Sequence, residues 1–149
     1  EAVEIIKKSG APFTYGDDFG GADETIISNT FNRPVIVHSY PTAIKPFYMK
    51  KDPKNPLVVR NMDVLAPEGY GEVIGGGQRE ENYETLLEAI KESGLNPETY
   101  SWYLDVRRYG AVPHAGFGLG VERCVAWITG ISHVRETGLF PRMPQRLRP

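Results

Sequence analysis

Residues Ala115–Cys124 read AGFGLGVERC. Gly116, Gly118 and Gly120 alternate there with Phe117 and Leu119. Val121, Glu122 and Arg123 then open a helix whose apolar positions are Val121, Cys124, Val125 and Ile128. A strand with glycine at alternate positions lets a flat group lie against the backbone, because no Cβ stands in the way. Arginine in the first helical turn is unusual. The N-terminus is the positive end of the helix dipole, so a cation there costs roughly 0.3–1 kcal/mol unless an anion shares the corner. A planar ring on glycines beside a phosphate held by arginine describes a nucleotide site.

Upstream of this stretch the pattern alternates between short strands and short helices. Ala2–Lys8 reads as a helix with Val3, Ile5 and Ile6 on its apolar side. The loop Tyr15–Asp23 delivers a second helix near Ala22–Asn29. Strands are expected at Pro34–Ser39, Phe47–Met49, Leu57–Val59, Met62–Leu65 and from Glu72 into Gly75–Gly77. An exposed turn is expected at Lys50–Pro56, and a turn at Ala66–Gly71 ends the Met62–Leu65 strand. Tyr83, Leu86, Leu87 and Ile90 fall at i, i+3, i+4 and i+7, and Gly94 ends that helix. Asn96 and Pro97 start another, with Tyr100, Tyr103 and Leu104 on its apolar side and Gly110 as its stop. Trp102, Tyr103 and Tyr109 are spaced as helix core, and Cys124 as buried packing. Strands joined by hairpin-like turns, without regular βαβ spacing, predict an α+β fold: an antiparallel sheet flanked by helices.

The 149 residues, 40% hydrophobic and 24% charged, suit one globular domain. No apolar run is long enough for a transmembrane helix and no signal-peptide pattern opens the chain, so no membrane partner is expected. The single Cys124 excludes an internal disulfide and fits a cytoplasmic setting. Residues 1–99 carry 10 basic and 16 acidic side chains, whereas residues 100–149 carry seven arginines, three acids and no lysine. Arginine without lysine suggests forked contacts to phosphate or carboxylate, although Arg142, Arg146 and Arg148 also fit a solvated face.

Glu72 precedes the triple glycine. A carboxylate beside glycine backbone can hold Mg²⁺ against nucleotide phosphates, or it can be a strand-end surface glutamate. Arg79 can grip a small carboxylate or amide carbonyl, or pair with Glu80 or Glu81. Asp63 can complete an acidic wall with Glu72, or end a turn. Gly75–Gly77 match neither a P-loop nor a dinucleotide fingerprint, so their strand face is expected to stay clear for a ligand. His38, His114 and His133 are too scattered for a metal site. His114 can line the nucleotide site or serve as a hydrogen-bonded structural residue.

Three segments together resemble the C-terminal half of a class II aminoacyl-tRNA synthetase catalytic domain: Met62–Glu80, Trp102–Arg123 and Phe140–Pro149. GFGLGVER (Gly116–Arg123) resembles that class's third signature motif. Within the class the match is closer to asparaginyl-tRNA synthetases of the archaeal/eukaryotic type than to aspartyl or lysyl ones. The resemblance implies that ATP is bound by Gly116, Gly118, Gly120, Val121, Glu122 and Arg123, with Arg123 on the γ-phosphate. It implies that Glu72 binds Mg²⁺ and ATP, and that Arg79, with Gly75 and Gly76 beside it, meets the amino acid. Arg123 and Glu72 would then serve catalysis. Gly75 stands where aspartyl relatives place a serine, which favours asparagine. The implied reaction joins asparagine and ATP into asparaginyl-adenylate and pyrophosphate, then passes the acyl group to tRNA(Asn).

The family's first motif, a helix and strand at its dimer interface, has no counterpart here. Nor has the second, whose arginine meets the α-phosphate, or the N-terminal anticodon-binding barrel. Residues 1–149 are therefore expected to be the C-terminal part of such a catalytic domain, from a homodimeric parent. The isolated chain is expected to be catalytically impaired and open to self-association along uncovered strand edges. Two other functions fit the same residues: a synthetase paralogue that amidates aspartate without tRNA, and a non-catalytic module that binds nucleotide or a partner protein.

Overall fold

The computed structural model describes residues 1–146 and Arg148; Leu147 and Pro149, part of the Phe140–Pro149 segment, lie outside the described residues. In chain order the elements are α1 (Ala2–Lys8), α2 (Gly21–Asn29), β1 (Val35–His38), β2 (Lys51–Asp52), β3 (Asn55–Val59), β4 (Asn61–Ala66), β5 (Gly71–Gln78), α3 (Tyr83–Glu92), α4 (Ser101–Arg108), β6 (Ala115–Leu119) and α5 (Val121–Thr129). Strands β1, β4, β5 and β6 form an antiparallel sheet in that order, and β2 pairs with β3 in a separate hairpin. This is the expected α+β architecture.

Two small cores form, one against the sheet and one among the helices. Ile6 of α1, Ile27 of α2 and Leu65 of β4 are fully buried together, with Val35 and Val37 of β1 packed beside them. Leu86 and Ile90 of α3 meet Leu104 of α4, and Phe47, Tyr48 and Tyr100 close around them. Each such aliphatic side chain removed from water contributes about 1.5–3 kcal/mol. Asn82 caps α3 by accepting from the Thr85 amide at 2.9 Å.

Several expectations are corrected. Phe47–Met49 form a turn rather than a strand. Both rings pack into the second core, whereas a strand would send successive side chains to opposite faces. Only Met49 makes a bridge, to Arg79. Within Lys50–Pro56 the turn is confined to Pro53–Lys54, where Asp52 Oδ1 accepts the Lys54 amide at 2.7 Å, and the flanks are the β2–β3 hairpin. The segment after Asn96 begins as a 3₁₀ turn, Pro97–Tyr100, before α4. Trp102 and Tyr109 are not core: they are 68% and 81% exposed, because α4 turns Leu104 and Arg107 inward instead. The apolar side of α5 is likewise uncovered at Val121, Val125 and Ile128, with Ala126 buried and Cys124 half-buried.

Candidate active site

The site begins with an irregularity in β5. Val64 pairs with Ile74 but Leu65 pairs with Glu72, so Val73 is an extra residue in the strand. Glu72 and Gly75, three residues apart, would face opposite sides of a regular strand. The bulge brings the Glu72 carboxylate directly over Gly75, where a Cβ would collide with Glu72 Oε1 and lie 3.4 Å from Asp63 Oδ1. Asp63 of β4, Gly75 of β5 and Gly118 of β6 stand abreast in register. Val73, left out of the ladder, gives its carbonyl to the Gly120 amide at 2.9 Å. The same bulge thereby aims Glu72 and anchors the start of α5.

Gly75, Gly118 and Gly116 make a glycine floor roughly 7 Å by 5 Å by strand geometry, open at Gly118 and overhung by the Glu72 carboxylate at Gly75. A Cβ on Gly118 would meet nothing within 4 Å, and one on Gly116 would lie 3.2 Å from Arg79 Nη2. Carboxylates stand at one end of the floor and a guanidinium at the other. Gly76 does not belong to it. Gly76 pairs with Phe117 on the alternate face, and its Cβ would strike Gly116 O and the Phe117 backbone at 2.6–2.8 Å.

The acidic end is crowded. Glu24 of α2 accepts the Glu72 amide at 3.2 Å, and over Gly71 its carboxylate approaches the Arg123 guanidinium. Gly71 has φ +69°, and a side chain there would sit 3.0 Å from Glu24 Oε2 and 3.4 Å from Arg123 Nη1. Lys45 Nζ pairs with Asp63 at 3.2 Å and Asp18 at 3.9 Å. Burial lifts the Glu72 carboxyl above the ordinary glutamate range, and the Asp63 charge lifts it further against the pull of Lys45 and Arg123. Burial raises Glu24 as well, opposed by the Glu72 amide it accepts. Burial and the Asp63 charge also hold the Tyr40 hydroxyl well above the ordinary tyrosine range.

At the other end, Arg79 makes no ion pair among the described residues. Lys50 takes both acids proposed as its partners, Glu80 at 3.3 Å and Glu81 at 2.5 Å. The Arg79 guanidinium lies 4.7 Å from the Tyr48 ring centroid, with Nη2 3.4 Å from Gly116 O. It presents an uncompensated planar fork beside the floor. His114 is hydrogen-bonded and structural: its Nδ1 faces Val112 O at 2.8 Å and its carbonyl accepts the Arg79 amide at 2.9 Å.

Arg123 projects from the first turn of α5, its stem over Gly120, and makes no ion pair or side-chain hydrogen bond among the described residues. Val121 and Glu122 are exposed beside it. Glu24, Lys45, Tyr48 and Arg107 also shape the site and were not singled out in the sequence. Only Arg107 left a signal, as an arginine completing the i, i+3, i+4, i+7 apolar series Tyr100, Tyr103, Leu104, Arg107. Arg142, Arg146 and Arg148 are exposed.

A glycine floor between carboxylates and arginine, on an antiparallel sheet flanked by helices, defines a class. The family model described as tRNA synthetases class II (D, K and N) matches residues 12–144, and the chain belongs to this family. Within it, the chain is 63% identical to the asparagine–tRNA ligase of Sorangium cellulosum and 55% identical to that of Lactobacillus delbrueckii subsp. bulgaricus. Each match covers all of this chain but 36% and 34% of the relative. The asparaginyl-tRNA synthetase of Pyrococcus horikoshii complexed with asparaginyl-adenylate superposes with a TM-score of 0.96 at 53% identity. That match covers 99% of this chain and 34% of the other. The chain thus spans about a third of the length of the relatives it matches.

Proposed function

We propose that these residues are the C-terminal part of an asparagine–tRNA ligase catalytic domain, activating asparagine with ATP for transfer to tRNA(Asn). The observation that carries this reading is the floor Gly75–Gly118–Gly116, bracketed by Glu72 with Asp63 and by Arg79. Adenine lies flat on the floor, and Arg123 meets the triphosphate at the start of α5. The unpaired Arg79 fork takes the side-chain carbonyl of asparagine. Mg²⁺ suits the acidic end, where Glu72 and Asp63 converge and burial with the Asp63 charge disfavours the Glu72 carboxylate without a cation beside it. Magnesium takes one or two carboxylates beside phosphates and keeps its waters. When bound there it would neutralise charge on the phosphates.

The residues of this chain contribute position and charge rather than a nucleophile. The asparagine carboxylate attacks the α-phosphorus and pyrophosphate leaves. The tRNA 3′ hydroxyl then attacks the acyl carbon and AMP leaves. Holding both reactants on one rigid sheet converts each step into a near-intramolecular one. The reading includes a cytoplasmic, homodimeric parent. Titration of ATP into the chain and into Arg123→Ala tests the phosphate assignment. The expected loss is about 1.5–3 kcal/mol, the range for a charged hydrogen bond. Equal affinities would remove Arg123 from the site.

A further inference from the structure

Arg107 is the one arginine of α4 that turns inward, 6% exposed, and no carboxylate pairs with it among the described residues. Its guanidinium is divided among neutral acceptors. Nε donates to Glu80 O at 3.0 Å, Nη1 to Tyr103 O at 3.3 Å and Nη2 to the Tyr103 hydroxyl at 2.9 Å. Nη2 also lies 3.4 Å from His114 Nε2. Because His114 Nδ1 faces the Val112 carbonyl and donates to it, Nε2 is left as the lone pair that receives Arg107. The guanidinium also covers the Tyr103 ring, 4.0 Å from its centroid.

These contacts converge on both sides of Arg79. The Arg79 amide donates to His114 O, and the next amide, Glu80, donates to Tyr48 O at 3.0 Å. Tyr48 is the ring on which the Arg79 guanidinium rests. Arg107 therefore grips the carbonyl one residue after Arg79 and the histidine whose carbonyl holds the Arg79 amide. A buried charge satisfied only by neutral acceptors is costly to keep unless its placement serves something.

We propose that Arg107 is a positioning residue for Arg79: from the α4 side it fixes the backbone on which the amino-acid-reading fork is mounted, without touching the substrate. The substrate half of this proposal rests on the function given above; the backbone half does not.

The test compares the 149-residue chain with Arg107→Met in two ways. Without ligand, amide hydrogen exchange at Arg79 and Glu80 is expected to quicken by about tenfold or more, the effect of losing one charged hydrogen bond. Exchange at Gly120, bonded to Val73 at the far end of the floor, is expected to stay unchanged. With ligand, affinity for a non-hydrolysable asparaginyl-adenylate analogue is expected to fall about 10- to 100-fold, as for a displaced contact. Affinity for a non-hydrolysable ATP analogue is expected to hold. Uniform acceleration at all three amides, or parallel loss of both ligands, would show a merely structural arginine and overturn the proposal. So would no change at Arg79 and Glu80. Should Arg107→Met not fold, Arg107→Lys keeps the charge but cannot span the four acceptors, and the same selective pattern is expected in smaller measure. If the unaltered chain binds neither analogue, the proposed function fails, while the exchange measurement still decides whether Arg107 holds Arg79 in place.

Discussion

Glu72 concentrates the conflict between stability and function in one side chain. Its carboxyl titrates above the ordinary glutamate value of 4.5 because it is buried and sits beside Asp63. A carboxyl raised in the folded state favours folding while protonated, so its contribution is complete below about pH 4.5 and is lost as pH climbs through the folded value. Glu72→Gln removes that loss. The variant is expected to be more stable than the unaltered chain at pH 7 and equal to it at pH 4, measured by denaturant unfolding at both values. It is also expected to bind ATP more weakly in the presence of Mg²⁺. A variant less stable at pH 7 would mean that Glu72 is a net stabiliser and not a charge held in place for a ligand.

The strand pair β5–β6 separates two kinds of glycine at the scale of the element. Gly76→Ala drives a methyl into Gly116 O and the Phe117 backbone at 2.6–2.8 Å, which neither strand can yield without shifting. It is expected to cost about 1–3 kcal/mol of stability. Gly118→Ala meets open space and is expected to stay within about 0.5 kcal/mol of the unaltered chain, while nucleotide affinity falls because the methyl stands on the floor. Thermal unfolding beside nucleotide titration checks both, and equal effects on stability and binding at the two positions would refute the division.

Much at this scale was legible beforehand. The Tyr83–Leu86–Leu87–Ile90 series does bury Leu86 and Ile90, and the alternating glycines do form a strand with an open face. The bulge at Val73 was not legible, since Glu72 and Gly75 look like residues on opposite faces and nothing in the composition marks the extra one. The Phe47–Met49 turn was hidden because aromatic residues suit a strand equally well until the second core claims both rings. Glu24 and Lys45 come from distant loops and helices, and their pairing with Glu72 and Asp63 exists only in the folded chain.

At the scale of the whole molecule, β6 is an edge strand and its outer side is unpaired among the described residues. Val121, Ile128, Leu139 and Phe140 are 61%, 78%, 86% and 64% exposed. An open edge together with exposed apolar side chains favours association between chains. Sedimentation velocity is expected to show an apparent mass that rises with protein concentration, and a monomer at all concentrations would contradict this. In the proposed function, one end of the glycine floor reads the amino acid and the other handles the phosphates. Calorimetric titration of the chain with a non-hydrolysable asparaginyl-adenylate analogue, against the aspartyl analogue, tests it most directly. Binding with clear preference for the asparaginyl form is the expected result. No binding, or equal binding of the two, would contradict the assignment of Arg79 and the floor as an asparagine-activating site.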